Sequence, residues 1–328
     1  MSRLKNFIYR TLRPAMYHGH GKIPPFFEGW YYKLVSSDES QRFAIIPGVQ
    51  LGQDGHAFIQ VLDGVNLKAN YYHFPLEEFW ASDREFEVHI ADNRFTLNGI
   101  ELHISQEEGR IEGDLEFNEP IGWPVSWRSP GIMGWYAWAP FMETYHGVLS
   151  FDHAIQGTLE INSQEIDFQD GRGYIEKDWG KSFPQAWIWF QSNHFESPGI
   201  CLTASAAIIP WLGSSFRGFI VGLWMNGNLY RFATYTGANI DALSVEDDRA
   251  EMQISDPKYF LKMTTVREHG GLLRGPTQVD MGLRVAETLG AQVQVSLREK
   301  NGRKVFDGLG RHAGLEIQGD IERLLAYA

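Results

Sequence analysis

Short runs of alternating apolar and polar residues, separated by tight-turn dipeptides, dominate this chain. One such turn is Asn98-Gly99, and two more are Asn226-Gly227 and Asn301-Gly302. Asn-Gly is the dipeptide most typical of a two-residue β-hairpin turn, because both of its residues accept positive φ. Asn162-Ser163 predicts a fourth hairpin on the same reasoning. Turns at this spacing predict an all-β protein built from many short antiparallel strands.

Only the two ends of the chain look helical. The first 13 residues place apolar side chains on one helical face, at Leu4, Phe7, Ile8 and Leu12. Pro14 ends this predicted short N-terminal helix. The same residues carry four basic side chains and no acid, which leaves two interpretations open. A basic amphipathic helix can lie on an anionic membrane surface, or the helix can pack on its own barrel.

Two aromatic segments, one in each half of the chain, predict a duplicated architecture. When Trp30 is aligned with Trp187, Tyr32 falls on Trp189, and the offset is close to half of the 328 residues. A chain of this length also exceeds what one hydrophobic core usually spans. We therefore expect a helix and lead-in over residues 1–23, a first barrel over 24–168 and a second barrel over 169–328.

Composition narrows the class of function. A net charge of -12 argues against a nucleic-acid partner, since no basic stripe is present to meet phosphates. The single cysteine, Cys201, rules out a disulfide framework. No apolar run approaches the roughly 20 residues of a membrane span, and no signal peptide is evident. We expect a cytoplasmic protein, peripheral on a membrane if the N-terminal helix binds there, with its oligomeric state left open.

The segment from Gly173 to Asn193 concentrates acids, bases and tryptophans, and it is the strongest signal of chemistry. Glu176, Lys177 and Asp178 lie close in sequence to Trp179, Trp187 and Trp189. Aromatic surface removes water from a carboxylic acid and thereby keeps it protonated near neutral pH. Glu28 heads the other aromatic segment, so we expect Glu28 and Glu176 to face one another and share a proton. Each acid precedes one of the two aromatic strands of the proposed repeat, which supports this expectation.

Other candidate sites are weaker. His18-Gly19-His20 has the residue types of a metal site but no third ligand nearby in sequence, so no metal is predicted. Nucleotide-binding, serine-hydrolase and zinc-protease motifs are absent from the sequence. Residues 119–140 are rich in Pro, Gly and aromatic side chains, including Trp135 and Trp138. This stretch predicts a long loop that covers a cavity.

These segments resemble the tocopherol cyclase family. The resemblance rests on four matches in the same order along the chain: residues 26–31, 134–147, 174–193 and 273–283. It implies two lipocalin-like antiparallel β-barrels packed side by side. It also implies a cofactor-free enzyme that closes the chromanol ring of a hydrophobic prenylated hydroquinone by adding a phenol oxygen across a protonated alkene. Carotenoid 1,2-hydratases share the fold and part of the Tyr-x-Glu-x-x-Trp pattern.

Protonation of a trisubstituted alkene requires an acid shielded from water, so Glu176, Glu28 and Asp178 are the candidate catalytic residues. The family pattern in plants places a neutral asparagine at Asp178, which favours Glu176 as the donor. Aromatic faces stabilise the resulting cation by roughly 0.5–2 kcal/mol each. The candidate substrate-binding residues are Trp30, Tyr32, Tyr174, Lys177, Trp179, Trp187, Trp189, Gln191, Asn193, Trp135 and Trp138.

Alternatives remain for both the function and the residues. The protein can be a non-catalytic carrier of a quinone or isoprenoid, although a carrier has no use for two acids in an aromatic pocket. It can also be a carotenoid or isoprenoid hydratase. Glu176 and Lys177 can form a structural ion pair, and Glu28 can accept backbone N–H groups. Gln191 and Asn193 can be hydrogen-bonding partners in the core only.

Overall fold

A computed structural model describes residues 3–247, 249–266 and 268–327 of the chain. The described chain is nearly all-β, as predicted, with helices only at its two ends. Helix α1 spans Arg3–Thr11 and ends before Pro14, while the first two residues of the predicted helix lie outside the described residues. Helix α2 spans Ile321–Ala326, and the Asp320 side chain caps its first turn by accepting from the Arg323 amide.

The first antiparallel sheet contains twelve strands. Its strands are β1 (Phe26–Val35), β2 (Arg42–Leu51), β3 (His56–Asp63), β4 (Lys68–Pro75), β5 (Phe79–Ala81), β6 (Glu87–Ile90), β7 (Asn93–Thr96), β8 (Gly99–Gln106), β9 (Gly109–Asn118), β12 (Thr144–Ile161), β13 (Gln164–Asp167) and β14 (Gly171–Gly180). Between β9 and β12, a separate hairpin is formed by β10 (Val125–Ser126) and β11 (Ser129–Pro130). Their order is β4-β3-β2-β1-β14-β12-β9-β8-β7-β6-β5, with β13 beside β12.

The second antiparallel sheet contains ten strands. They are β15 (Ala186–Ser192), β16 (Cys201–Trp211), β17 (Ser214–Met225), β18 (Asn228–Ala233), β19 (Asn239–Glu246), β20 (Arg249–Ser255), β21 (Tyr259–Val266), β22 (Gly271–Gly275), β23 (Leu283–Glu299) and β24 (Lys304–Gly319). The main path runs β18-β17-β16-β15-β24-β23-β21-β20-β19.

The two sheets share a strand order around their first strands. β1 lies between β2 and β14, the last strand of its sheet, and continues into the meander β2-β3-β4. β15 likewise lies between β16 and β24, the last strand of its sheet, and continues into β16-β17-β18. Trp30 on β1 and Trp187 on β15 therefore lie on strands that hold the same place in their sheets.

Two of the three Asn-Gly dipeptides lie in the turns that they predicted, between β17 and β18 and between β23 and β24. At the third, Leu97 and Asn98 form the loop between β7 and β8, Gly99 already belongs to β8, and neither Asn98 nor Gly99 has a positive φ. Asn226 and Gly227 adopt φ of 52° and 75° between β17 and β18, the positive values that a type I′ turn requires. Asn162 and Ser163 do the same without a glycine, with φ of 51° and 69° between β12 and β13. Residues 119–140 form no long strand or helix; the short hairpin β10–β11 and a 3₁₀ turn over Gly134–Trp138 are their regular parts.

The chain folds as two compact units. The first comprises residues up to 183 together with 273–284, and the second comprises 184–272 together with residues from 285 onward. We expected the division near residue 168, but β14 pairs with β1 and β12 and so belongs to the first unit. Residues 273–284 return to the first unit, where the buried Gln60 side chain donates to the Arg274 carbonyl at 2.9 Å and accepts from the Arg274 amide at 2.7 Å.

Each unit has its own hydrophobic core on one face of its sheet. The first core includes the buried aromatic rings of Trp30, Tyr32, Phe95, Phe117 and Trp179. The second is built from smaller side chains, including Ile188, Phe190, Phe232 and Met263. Fully burying one such side chain contributes about 1.5–3 kcal/mol, so these cores fix which face of each strand turns inward.

Candidate active site

The two aromatic segments that carry the chemistry in the first unit are neighbouring antiparallel strands. In the pairing of β1 with β14, Glu28 lies opposite Trp179, Trp30 opposite Lys177 and Tyr31 opposite Glu176. Successive side chains of a strand point to opposite faces of a sheet. Glu28, Trp30, Lys177 and Trp179 therefore share the core face, and Glu176 lies on the other face.

This register corrects two sequence-based expectations. Glu28 and Glu176 do not face one another, because they project from opposite faces of the sheet, so the predicted carboxyl pair sharing one proton is wrong. Glu176 and Lys177 are adjacent on β14 and also point apart. The structural ion pair between these two residues, which the sequence left open, is therefore not the pair that forms.

Lys177 instead pairs with Glu28 on the core face, where both side chains are fully buried. Its ammonium group also donates to the Met16 carbonyl at 2.7 Å and lies 3.2 Å from His18 Nδ1. Glu28 accepts the His18 backbone N–H at 2.8 Å. This accords with the alternative that Glu28 accepts backbone donors.

The surroundings shift the pKa values of the three groups. Burial lowers the pKa of Lys177 to about 8, although the neighbouring Glu28 carboxylate opposes the fall. Burial alone raises the pKa of Glu28, but Lys177 and His18 outweigh burial and hold it below its usual value. Burial and then Lys177 lower the pKa of His18. The geometry therefore describes an ionised Glu28–Lys177 pair beside a neutral imidazole.

The Lys177 ammonium occupies the aromatic faces that we assigned to a substrate cation. It lies 4.8 Å from the Trp30 ring centroid and 4.7 Å from that of Trp179, and the His18 ring stacks on Trp179 at 4.3 Å. Tyr32 is equally engaged, since its buried hydroxyl donates to the Thr96 carbonyl at 2.9 Å. In this arrangement Lys177, Trp30 and Trp179 connect residues 15–18 of the lead-in to the sheet.

The opposite face of β14 carries a second cluster, centred on Glu176. The Tyr174 hydroxyl donates to Glu176 Oε2 at 2.5 Å, and His146 Nε2 on β12 lies 3.6 Å from the same oxygen. On the other side of the imidazole, Nδ1 is 2.9 Å from Asp178 Oδ1. The side chain of Asp178 is 29% exposed and that of Glu176 only 7%. His146 therefore lies between the partly exposed Asp178 and the nearly buried Glu176.

The sequence analysis did not single out His146 as a site residue, and its strand pairing explains why. His146 reaches this cluster because it lies opposite Asp178 in the pairing of β12 with β14, which a sequence pattern does not reveal. The signal available was its place in the Tyr145-His146-Gly147 match. His146, Glu176 and Asp178 also offer ligand atoms within 4.8 Å of one another, as a metal site does. The two carboxylates approach different ring nitrogens, however, and that arrangement suits proton transfer along the imidazole better than shared coordination.

An open cleft of about 1300 Å³ lies in the first unit. Its wall mixes charged residues with apolar ones, including Phe86, Leu97, Phe117, Val148 and Leu149. Tyr174, Glu176, His146 and Asp178 do not line it. The link between the cleft and the cluster is Val148, which lines the cleft and is paired with Glu176 across β12 and β14.

The remaining candidate residues belong to the second unit. Trp187, Trp189 and Gln191 alternate with the core residues of β15, Asn193 directly follows the strand, and all four are buried. The Trp187 indole donates to Glu316 at 2.5 Å, the Gln191 amide lies 3.7 Å from Cys201 Sγ, and Asn193 Oδ1 is 3.1 Å from His194 Nδ1. The three residues of β15 share one face of the second sheet.

Trp135 and Trp138 lie in the first unit, outside the Glu176 cluster. Trp135 is about half exposed and stacks on Tyr136 with a centroid distance of 4.0 Å. Trp138 donates to the Trp127 carbonyl at 3.0 Å and lies 6.1 Å from the Phe7 ring of α1. Its contacts connect the 119–140 loop to the N-terminal helix.

The fold and this cluster define an all-β protein of two large antiparallel sheets, with a nearly buried acid in the first unit. The family model described as tocopherol cyclase-like matches residues 24–319. The chain belongs to the tocopherol cyclase-like family, as the sequence resemblance indicated. No helix in the described ranges combines the length and the apolar character needed to cross a membrane.

Named plant relatives agree with this assignment, and two solved structures share the fold. The chain is 24% identical to a probable chloroplastic tocopherol cyclase of Oryza sativa, covering 92% of this chain and 77% of that protein. It is 25% identical to the chloroplastic tocopherol cyclase of Zea mays, covering 94% and 78%. The putative AttH of Nitrosomonas europaea has a TM-score of 0.54 at 14% identity, covering 89% and 92%. CghA solved with Sch210972 has the same score and identity, covering 90% and 89%; these two structures share the fold.

Proposed function

We propose that this protein closes a chromanol ring on a prenylated hydroquinone, with Glu176 as the proton donor to the prenyl alkene. The observation that carries the proposal is the nearly buried Glu176, which accepts a hydrogen bond from Tyr174 and is approached by His146. Burial disfavours the charged form of a carboxyl group. Membership of the family and the names of the plant relatives support the reaction class.

The proton balance of the reaction gives His146 and Asp178 a role. Glu176 donates a proton to the less substituted alkene carbon, and the phenol oxygen then bonds to the tertiary carbon of the cation. The phenol proton must leave, and because the reaction is an isomerisation it must finally return to Glu176. Asp178, partly exposed, and His146, between the two acids, provide a route for that return. The 3.6 Å gap between His146 and Glu176 must close by about half an ångström to form a hydrogen bond.

The cleft is the proposed site of the prenyl tail. Each CH₂ group removed from water contributes about 0.8 kcal/mol, so a long tail supplies most of the binding energy. Val148 belongs both to the cleft wall and to the pair with Glu176. The alkene nearest the ring would then approach the acid while the rest of the tail remains among the apolar residues of the cleft.

Glu176→Gln tests the donor directly. The amide keeps the shape and can still accept the Tyr174 hydroxyl, but it delivers no proton to carbon. Single-turnover cyclisation should fall by at least roughly 10²–10⁴, the range for a lost general acid. Binding of the prenylated hydroquinone should hardly change. Glu165→Gln on the exposed part of β13 is the matched control and should behave as wild type.

Three results would redirect this proposal. Near-normal turnover in Glu176→Gln would exclude the residue as donor. Tight binding of prenylated hydroquinones by the wild-type protein without any product would instead support a carrier. Incorporation of ¹⁸O from labelled water into the product would identify a hydratase, since water and not the phenol would then capture the cation.

A further inference from the structure

An aromatic and cationic patch on the first unit has no part in the chemistry above. It comprises Leu4 and Phe7 of α1, Trp127 and Arg128 at the tip of the β10–β11 hairpin, and Trp138. Leu4 is 68% exposed and Trp127 61%. Phe7 lies 6.1 Å from the Trp138 ring, and Trp138 lies 4.9 Å from the Trp127 ring. These three rings are therefore in contact, Leu4 lies one helical turn before Phe7, and Arg128 follows Trp127. We call the five residues the docking patch.

The docking patch differs in charge from the rest of the protein. The net charge of the chain is -12, whereas α1 has no acidic residue and carries Lys5 and Arg10. Arg13 follows the helix and lies over the Tyr9 ring at 3.8 Å, and Arg128 adds a further charge at the hairpin tip. The excess of basic residues in this part of the chain favours an anionic surface, which the net charge of the protein as a whole repels.

We propose that the docking patch binds the surface of an anionic lipid bilayer. Tryptophan favours the headgroup level of a bilayer, because its ring is apolar while its N–H remains hydrated. A short amphipathic helix with apolar and basic faces lies in the same plane. The hairpin tip and the first turn of α1 present both elements on one surface. Basic charge beside exposed rings fits a lipid headgroup layer better than a protein partner, which would be expected to cover the rings in a shaped pocket.

Vesicle flotation tests the proposal with the full-length protein. Wild type should bind vesicles of phosphatidylcholine mixed with phosphatidylglycerol, bind pure phosphatidylcholine weakly, and be released by high salt. Trp127→Ala should reduce the partition coefficient at least tenfold, since the apolar area of an exposed indole no longer enters the interface. Arg128→Gln should reduce it about fivefold. Trp80→Ala, at another tryptophan that is 54% exposed, is the matched control and should bind as wild type.

The alternatives give different results. Equal binding by Trp127→Ala and wild type, or equal loss in Trp80→Ala, would overturn the proposal. A sedimentation mass of a dimer that becomes monomeric in Trp127→Ala would show that the docking patch joins two copies of the chain and would also overturn it. Melting temperatures equal to wild type establish that each variant is folded. The measurement needs no turnover, so its outcome is independent of the role of Glu176.

Discussion

The buried pair of Lys177 and Glu28 provides the most quantitative prediction. Both side chains have no exposed surface, and Lys177 also rests on two tryptophan faces. Lys177→Met keeps the volume but leaves the Glu28 charge buried without its partner. Removing one member of a buried ion pair costs about 3–5 kcal/mol. At roughly 2–4 °C per kcal/mol for a domain of 150–250 residues, the first unit should melt about 6–20 °C lower.

The double variant Glu28→Gln/Lys177→Met should recover most of this loss. Replacing a whole buried pair with neutral groups of similar volume is often neutral in stability, because the desolvation penalty disappears with the charges. Urea unfolding of the two single variants and the double variant, followed by circular dichroism, gives a coupling free energy. We expect at least about 2 kcal/mol. Simple addition of the two single effects, or a cost below about 1 kcal/mol for Lys177→Met, would refute the pairing.

The same pair predicts a dependence of stability on pH. The pKa of Lys177 falls from 10.5 in the unfolded chain to about 8 in the folded protein. Between these values the folded protein binds fewer protons than the unfolded chain, so the contribution of Lys177 to the free energy of unfolding rises with pH. Wild type measured against the double variant should therefore gain stability from about pH 8 to 10.5. A flat or falling difference would contradict the lowered pKa.

Two further predictions concern the reaction. In the proposed mechanism Glu176 begins protonated and His146 serves only to reload it. His146→Ala should therefore slow steady-state turnover by about 10²-fold and leave the first turnover close to wild type. Added imidazole should restore the rate, and an equal loss in both phases would exclude the relay. Leu97→Trp should fill part of the cleft and raise the KM of a long-tailed prenyl hydroquinone about tenfold relative to a substrate with one prenyl unit. Equal effects on both substrates would place the tail elsewhere.

The sequence predicts the all-β class and the hairpins well, because alternation and turn chemistry are local. Asn226-Gly227 and Asn162-Ser163 form turns through their own φ preferences, whatever the rest of the chain does. The faces of neighbouring strands depend on register, and a shift by one residue exchanges every side chain between faces. Because the register was unknown, the sequence analysis paired Glu28 with Glu176 and assigned Lys177 to substrate binding. In the structure Glu28 pairs with Lys177.

The sequence indicated Glu176 as a site residue but not the neighbouring His146. Burial among aromatic residues indicated Glu176 from local composition. The approach of His146 depends on a strand 32 residues earlier in sequence than Asp178, and no local pattern encodes it. The exchange of amide hydrogen bonds between Gln60 and Arg274 spans 214 residues and is equally invisible. Contacts between residues far apart in sequence depend on the order and register of the strands, which the local hydrophobic pattern constrains only weakly.

The return of residues 273–284 to the first unit has a consequence for synthesis of the protein on the ribosome. When the first 183 residues have emerged, the first unit still lacks this segment, and the buried Gln60 amide has neither of its bonds to Arg274. At roughly 5–20 residues per second, several seconds pass before the missing segment is made. The nascent first unit is therefore incomplete during that interval, and a fragment ending at residue 183 lacks part of its own fold. An independently expressed first unit would need residues 273–284 supplied by a linker or as a separate peptide.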